Sequence, residues 1–181
     1  MHNVVIVGGG PAGLSAALTA AVAGAPVLLL DSNPRLGGQY WRTPADNFGD
    51  QHENHFDLAT GLKLINSVKA QPNIQVLSGA QIWSASHKDG VSTLRVIYQG
   101  SEKIINTGNL ILATGAYDRS LPFPGWDIPG VMTPGGVQSL IKGHGVVAGK
   151  RVVVAGSGPF LLPVAAGLVK SGADVVELLE A

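Results

Sequence analysis

The chain has 181 residues, enough for one domain, or one domain and part of another, with a core of useful size. Only 13% of them are charged, about half the usual share, while 45% are hydrophobic and 25 are glycine, so some apolar surface reads as meant for covering by further chain or a partner. A formal net charge of zero without a Lys/Arg cluster argues against nucleic acid, and the lack of cysteine excludes disulfides, redox-active cysteine pairs, thiolate zinc sites and cysteine-held iron–sulfur clusters.

Residues 4–30, VVIVGGGPAGLSAALTAAVAGAPVLLL, carry no charge and are long enough to span a bilayer. The glycine turn and Pro26 would break a spanning helix, and no Lys or Arg precedes the run as a secretory signal requires. The stretch therefore predicts a buried strand, a turn, a helix and a second strand, with no membrane insertion. The strand covers residues 2–7, and Leu14, Leu18, Ala21 and Val22 recur at helical spacing before Gly24 stops the helix. The second strand, Val27 to Leu30, is closed by Asp31.

The turn-rich segment DSNPRLGGQYWRTPADNFGD reads as a functional loop. Residues 56–70 predict a helix with Leu58, Leu62, Ile65 and Val68 on one face, and Ile74–Leu77 a strand. From Gln81 to Thr107 the period becomes two: QIWSASH, VSTLRVIY and KIINT form an antiparallel meander turning at Asp89-Gly90 and Gln99-Gly100. NLILATG (109–115) is a further buried strand, ending where a ligand sits in a doubly wound sheet. Residues 120–136 form a proline- and glycine-rich connector, followed by a short helix near 137–142. RVVVAGSG then opens a second fold, for VVIVGGGPAG and VVVAGSGPFL are an internal repeat, each followed by an Ala-rich helix and a strand ending in an acid. The expected fold is α/β: a Rossmann-like domain with a parallel sheet and a three-stranded meander (1–120), a connector (121–149), and an incomplete second Rossmann-like domain (150–181).

The first glycine turn satisfies G-x-G-x-x-G between strand and helix. Gly8 makes the tight turn, Gly10 lets a pyrophosphate approach the backbone, and Gly13 lets the helix pack on the strand. Phosphates find unpaired N–H groups and a partial positive charge at the helix N-terminus. Asp31, at the end of the second strand, is placed to accept hydrogen bonds from ribose hydroxyls and disfavours a 2′-phosphate. The second turn keeps Gly156 and Gly158, but its third position is Leu161, which predicts looser helix–strand packing. Pro163 is tolerable only near the start of that helix. Glu180 stands where a second ribose carboxylate would.

Together VVIVGGGPAGLSAA, LGGQYWR, LILATGAYDRSLPFPGW, PGVMTPGGVQSLIKGHG and VVVAGSGPFLLPVAAGL resemble the pyridine nucleotide–disulfide oxidoreductase family of flavoproteins. The likeness is to its cysteine-free branch, the flavin subunits of opine oxidase, hydrogen cyanide synthase and heteromeric proline and hydroxyproline dehydrogenases. The resemblance implies FAD in the first fold, held at its pyrophosphate by Gly8, Gly10, Pro11, Ala12 and Gly13, with Asp31 on the ribose where the family more often has Glu. It further implies Gly37, Gly38, Gln39 and Arg42 along the path to the flavin, the backbone at Gln81 and Ile82 against the adenine, and Ala113, Thr114 and Gly115 closing over the cofactor. A second fold in this family binds NAD(P) or another adenine nucleotide, here at Gly156, Gly158 and Glu180, and a returning C-terminal segment completes the FAD site. No such segment is present, so the resemblance implies the N-terminal part of a longer protein, whether a truncated frame, a split gene or an excised piece.

Other residues carry less. His52 and His55, with Asp50, Glu53 and Asp57 nearby, read as a polar, helix-capping neighbourhood rather than a metal site. His144 reads as a helix-end residue, Asp118-Arg119 as a local ion pair, and Trp41 and Trp126 as core or pocket lining. No residue stands out as a catalytic acid or base, so the catalytic residues are unassigned and no metal is expected. The leading expectation is an FAD-dependent oxidoreductase of an amine- or amino-acid-oxidising complex, cytoplasmic, with a second oxidoreductase subunit or self-association through apolar surface. Two alternatives remain: an NAD-dependent dehydrogenase or reductase using the first site, and a non-catalytic truncated assembly subunit.

Overall fold

The computed structural model describes residues 3–43 and 57–180. The chain divides into two compact units, one of Met1–Arg42 with Asp57–Gly115, the other of Thr43–Phe56 with Ala116–Ala181.

In the first unit the elements run β1 (Val4–Val7), α1 (Pro11–Val22), β2 (Val27–Asp31), α2 (Leu58–Ala70), β3 (Ile74–Ser78), β4 (Gln81–Lys88), β5 (Val91–Tyr98), β6 (Ser101–Thr107) and β7 (Leu110–Leu112). The strands β3, β2, β1 and β7 form a parallel sheet in that order, and β4, β5 and β6 an antiparallel one. Alternate residues of β1 and β2 serve two cores. Ile6, Val27 and Leu29 pack with α1 and α2, around Leu14, Ala17, Ile65 and Val68. Val5, Val7, Leu28 and Leu30 pack with the meander, against Leu94 and Val96. A sheet covered on both faces has no polar side, which is why these strands are unbroken apolar runs.

The α/β expectation and the meander hold, and several details differ. The α2 face buries Leu58, Gly61, Ile65 and Val68, whereas Leu62 is 37% exposed. Trp41 takes its place: the indole lies on Gly61, where a Cβ would run into the ring. On α1 the buried stripe is Gly13, Leu14, Ala17 and Ala21, and Val22, one step too far round, is 72% exposed. The strand expected to be buried over 109–115 is assigned only from Leu110 to Leu112, with Ile111 39% and Leu112 67% exposed, although the Ala113 N–H still bonds the Val7 carbonyl of β1. Asp118 forms no ion pair with Arg119 among the described residues; its carboxylate accepts from the Gly135 N–H at 2.7 Å.

The second unit contains α3 (Pro134–His144), β8 (Arg151–Gly156), α4 (Leu161–Lys170) and β9 (Asp174–Glu180). β8 and β9 pair in parallel, and Val137, Ile141, Val154, Leu161, Val164, Leu168 and Ala173 form the core. α3 is longer than the sequence predicts because Thr133 caps it, its hydroxyl accepting from the Gly136 N–H at 3.3 Å, and it runs on to His144, a helix-end residue as expected. Trp126 is about half exposed, while Trp41 is buried in the first core.

The burial pattern on α2 predicts that Ile65→Ala lowers the unfolding free energy by about 2–5 kcal/mol. Leu62→Ala should cost about 1 kcal/mol or less, as urea denaturation of the two variants will measure.

Candidate nucleotide-binding site

The site grows from the end of β1. Gly8 has φ +107°, donates its N–H to the Leu30 carbonyl at 2.7 Å, and leaves no room for a Cβ, which would strike the Ala113 carbonyl. Ala113 in turn donates to the Val7 carbonyl at 2.8 Å. Gly13 sits so close to Gly8 that its own Cβ would strike the Gly8 carbonyl. The loop, the first turn of α1 and the segment after β7 thus meet backbone to backbone.

Helix α1 starts with Gly10 as an extended N-cap without a side-chain bond, and with Pro11 at its first position. Its first bond runs from the Leu14 N–H to the Gly10 carbonyl at 2.9 Å. Among the described residues, the N–H groups of Gly10, Ala12 and Gly13 have no protein partner. Three donors with the positive end of the helix dipole behind them suit a diphosphate. The space suits it too. A Cβ on Gly10 would have as its nearest neighbour the Gly38 α-carbon at 3.8 Å, whereas a Cβ on Gly38, at φ +63°, would lie 2.9 Å from the Gly10 α-carbon. The Gly37–Gly38 pair is strapped to this turn, with the Gly37 N–H donating to the Gly9 carbonyl at 2.8 Å.

Asp31 is buried, 5% exposed. Its Oδ2 accepts a short bond from the Gly9 N–H. Oδ1 accepts from the Asn33 N–H at 2.7 Å and from Asn33 Nδ2 at 3.0 Å. A carboxylate has about four acceptor positions, so one remains, on Oδ2, for a hydroxyl donor. The backbone extends the link: Ala80 donates to the Asp31 carbonyl at 2.8 Å, and Gly79 to the Asn33 carbonyl at 3.0 Å. Gln81 and Ile82 therefore leave for the meander from a turn pinned to the same carboxylate-bearing corner.

The structure brings together Gly8, Gly10, Pro11, Ala12, Gly13, Asp31, Gly37, Gly38 and Ala113. Thr114 continues from Ala113, its nitrogen 3.2 Å from a Cβ placed on Gly8, and Gly115 follows at φ +72°. Gln39 is exposed and Arg42 partly buried farther along the strap. Two participants escaped the sequence pattern. Gly9 is a free position in G-x-G-x-x-G, yet its N–H holds Asp31; Asn33 orients the same carboxylate, and its signal was the local Asp-x-Asn turn.

In the second turn Gly156 has φ +157° and Gly158 φ +94°, and the Gly158 N–H donates to Glu180 Oε1 at 3.2 Å. Leu161 is buried with its Cδ2 3.2 Å from a Cβ placed on Gly156, and Pro163 lies in the first turn of α4, where a missing N–H costs nothing. His52, His55, Asp50 and Glu53 lie outside the described residues. Asp57 stands at the N-cap of α2 without a side-chain cap bond. No group of three metal-ligating side chains occurs among the described residues, nor any helix long and apolar enough to cross a membrane.

A parallel 3-2-1 sheet with a glycine loop at the β1–α1 switch and an acid closing β2 defines a dinucleotide-binding protein. The chain belongs to the pyridine nucleotide–disulphide oxidoreductase family, whose sequence profile matches residues 2–181. It is 35% identical over 185 residues to an opine oxidase subunit from Agrobacterium tumefaciens strain Ach5, covering 99% of this chain and 37% of that protein. It is 36% identical over 192 residues to the HcnB subunit of hydrogen cyanide synthase from Pseudomonas protegens, covering 99% and 38%. Among solved structures it is similar to L-proline dehydrogenase from P. horikoshii, with a TM-score of 0.79, 26% identity, and coverage of 97% of this chain and 35% of that one. The chain thus spans somewhat over a third of the length of these three relatives.

Because Asp31 satisfies buried backbone donors, Asp31→Ala is expected to lower stability by about 1–3 kcal/mol with no ligand present. Removing Asp174, whose contact with Arg151 is long (4.0 Å) and exposed, should cost less than about 0.5 kcal/mol by the same urea titration.

Proposed function

We propose that this chain is the FAD-binding part of an oxidoreductase and belongs to an amine- or amino-acid-oxidising complex. The observation that carries the reading is the trio of unpartnered N–H groups at the tip of α1, facing the Gly37–Gly38 strap and flanked by Asp31. The trio would bind the diphosphate, and Asp31, through its remaining acceptor position, one ribose hydroxyl. Asn33 and Gly9 hold that carboxylate still, so its geometry is set before the ligand arrives. The backbone at Gln81 and Ile82 would meet the adenine. Gln39 and Arg42 would line the way to the isoalloxazine, with Ala113, Thr114 and Gly115 over the cofactor. FAD supplies the electron acceptance itself, and the protein supplies position and electrostatics. On this reading residues 1–120 form the FAD-binding part and 150–181 the opening of a second nucleotide fold.

The names of the relatives support the complex and the substrate class proposed here. Two are named as enzyme subunits, one of them of an oxidase of opines, and the third is a dehydrogenase of L-proline. The partner is then a second oxidoreductase subunit, and the substrate an amine- or amino-acid-like small molecule. A cytoplasmic location agrees with a chain free of cysteine.

A second reading has a specific observation in its favour: the free N–H groups at the tip of α1 and the Asp31 carboxylate suit an adenosine diphosphate, which NAD shares with FAD. Titration of the chain with each ligand separates them, and tighter binding of NAD than of FAD would overturn the first reading.

Ala12 is exposed at the second position of α1, so Ala12→Asp places a carboxylate where the diphosphate would lie. An acid there suits the helix dipole, and thermal stability should hold or rise by about 0.3–1 kcal/mol. FAD affinity should fall at least tenfold. Unchanged FAD affinity in a folded A12D chain would sink the site.

A further inference from the structure

We propose that the second glycine turn, between β8 and α4, is closed by its own chain and holds no dinucleotide diphosphate, so that a nicotinamide dinucleotide is not bound there. The two turns are copies in sequence, Gly156 and Gly158 matching Gly8 and Gly10, and they differ in what their backbone offers. In the first, the N–H groups of Gly10, Ala12 and Gly13 have no protein partner among the described residues. The equivalents in the second are Gly158, Phe160 and Leu161. The Gly158 N–H is given to Glu180 Oε1 at 3.2 Å, and the Leu161 N–H to the Gly158 carbonyl at 3.3 Å. Of the three, the Phe160 N–H alone has no partner among the described residues.

The cause lies in the third glycine position. Gly13 descends onto the Gly8 carbonyl with no space for a side chain, so α1 starts at Pro11 and aims its first N–H groups outward. Leu161 cannot descend in this way. Its side chain is buried at the head of the second core, against Gly156, and α4 starts only at Leu161, two positions later in the repeat. The intervening residues close on themselves through three-residue turns, Leu161 N–H to the Gly158 carbonyl and Leu162 N–H to the Pro159 carbonyl, both at 3.3 Å. In α1 the corresponding bond, Leu14 N–H to the Gly10 carbonyl, is the helical four-residue one.

The acid adds a charge argument. Asp31 bonds Gly9 and leaves Gly10 open, whereas Glu180, one methylene longer, reaches Gly158, the position that would meet a phosphate oxygen. A diphosphate entering this turn would have to displace a like charge to gain that donor. It would find one backbone N–H ready where the first turn offers three.

This inference stands apart from the FAD reading, and its test keeps them separate. NADH is titrated into the Ala12→Asp chain, whose first turn is blocked, while NADH fluorescence and the Gly158 amide cross-peak in a 15N-labelled sample are followed. The expected result is no saturable binding up to about 1 mM, the weak limit for specific ligands, and a Gly158 peak that stays in place. Binding that leaves the Gly158 peak unmoved lies elsewhere and agrees with the proposal. One-to-one NADH binding that shifts the Gly158 peak and is lost on Ser157→Asp overturns it. If wild-type protein fails to take up FAD, the first reading falls and this result is untouched.

Discussion

The first unit depends on a buried carboxylate that has been given partners. Asp31 sits at the end of β2, nearly removed from water, where an unpaired charge would be costly. Its bonds to Gly9 and Asn33 satisfy the charge and fasten three chain segments at one corner: the glycine loop after β1, the turn after β2, and through the adjoining carbonyls the turn between β3 and β4. Charge-assisted bonds of this kind are stronger than neutral ones and directional. The same atoms that hold the corner together leave one acceptor position on Oδ2, which on the proposed reading would take a ribose hydroxyl.

Around that corner the backbone packs without side chains between its parts. Gly8, Gly13 and the Ala113 carbonyl meet at distances that exclude a Cβ, and Gly38 lies on Gly10. Close approach keeps helix α1 low over the sheet and turns its first N–H groups into free donors. The second turn shows the alternative. With leucine at the third position the helix starts later, the chain bonds to itself, and two of the three donors are taken. Two turns of one sequence pattern thus differ in chemistry because one site admits a side chain and the other does not.

The low share of charge has a structural location. The central sheet of the first unit is covered by α1 and α2 on one face and by the meander on the other, and β1 and β2 are buried accordingly, whereas Ile111 and Leu112 of β7 are exposed. In the second unit, α3 and α4 build one core with β8 and β9, while Val153, Leu178 and Leu179 remain about half exposed. Leu121, Phe123, Trp126 and Ile128 are exposed in the connector. Val22, Trp83, Ile104 and Leu112 of the first unit are exposed as well, so part of the apolar excess lies on the surface of both units.

Elements with strong local signals were legible in advance: the two β–turn–α–β repeats, the meander with its Asp-Gly and Gln-Gly turns, and the α/β class. Gly8, Gly10, Gly13 and Asp31 could be picked out because their backbone and charge requirements recur wherever a diphosphate is held. What escaped were choices made between segments distant in sequence. Leu62 faces solvent because Trp41 claims the surface of Gly61, and Gly8 has no room for a Cβ because the Ala113 carbonyl lies against it. Asp118 abandons its neighbour for Gly135. Local pattern determined which elements form and which residues could serve a nucleotide; only the tertiary structure decided which N–H groups stay free, because that depends on whether two backbones can touch.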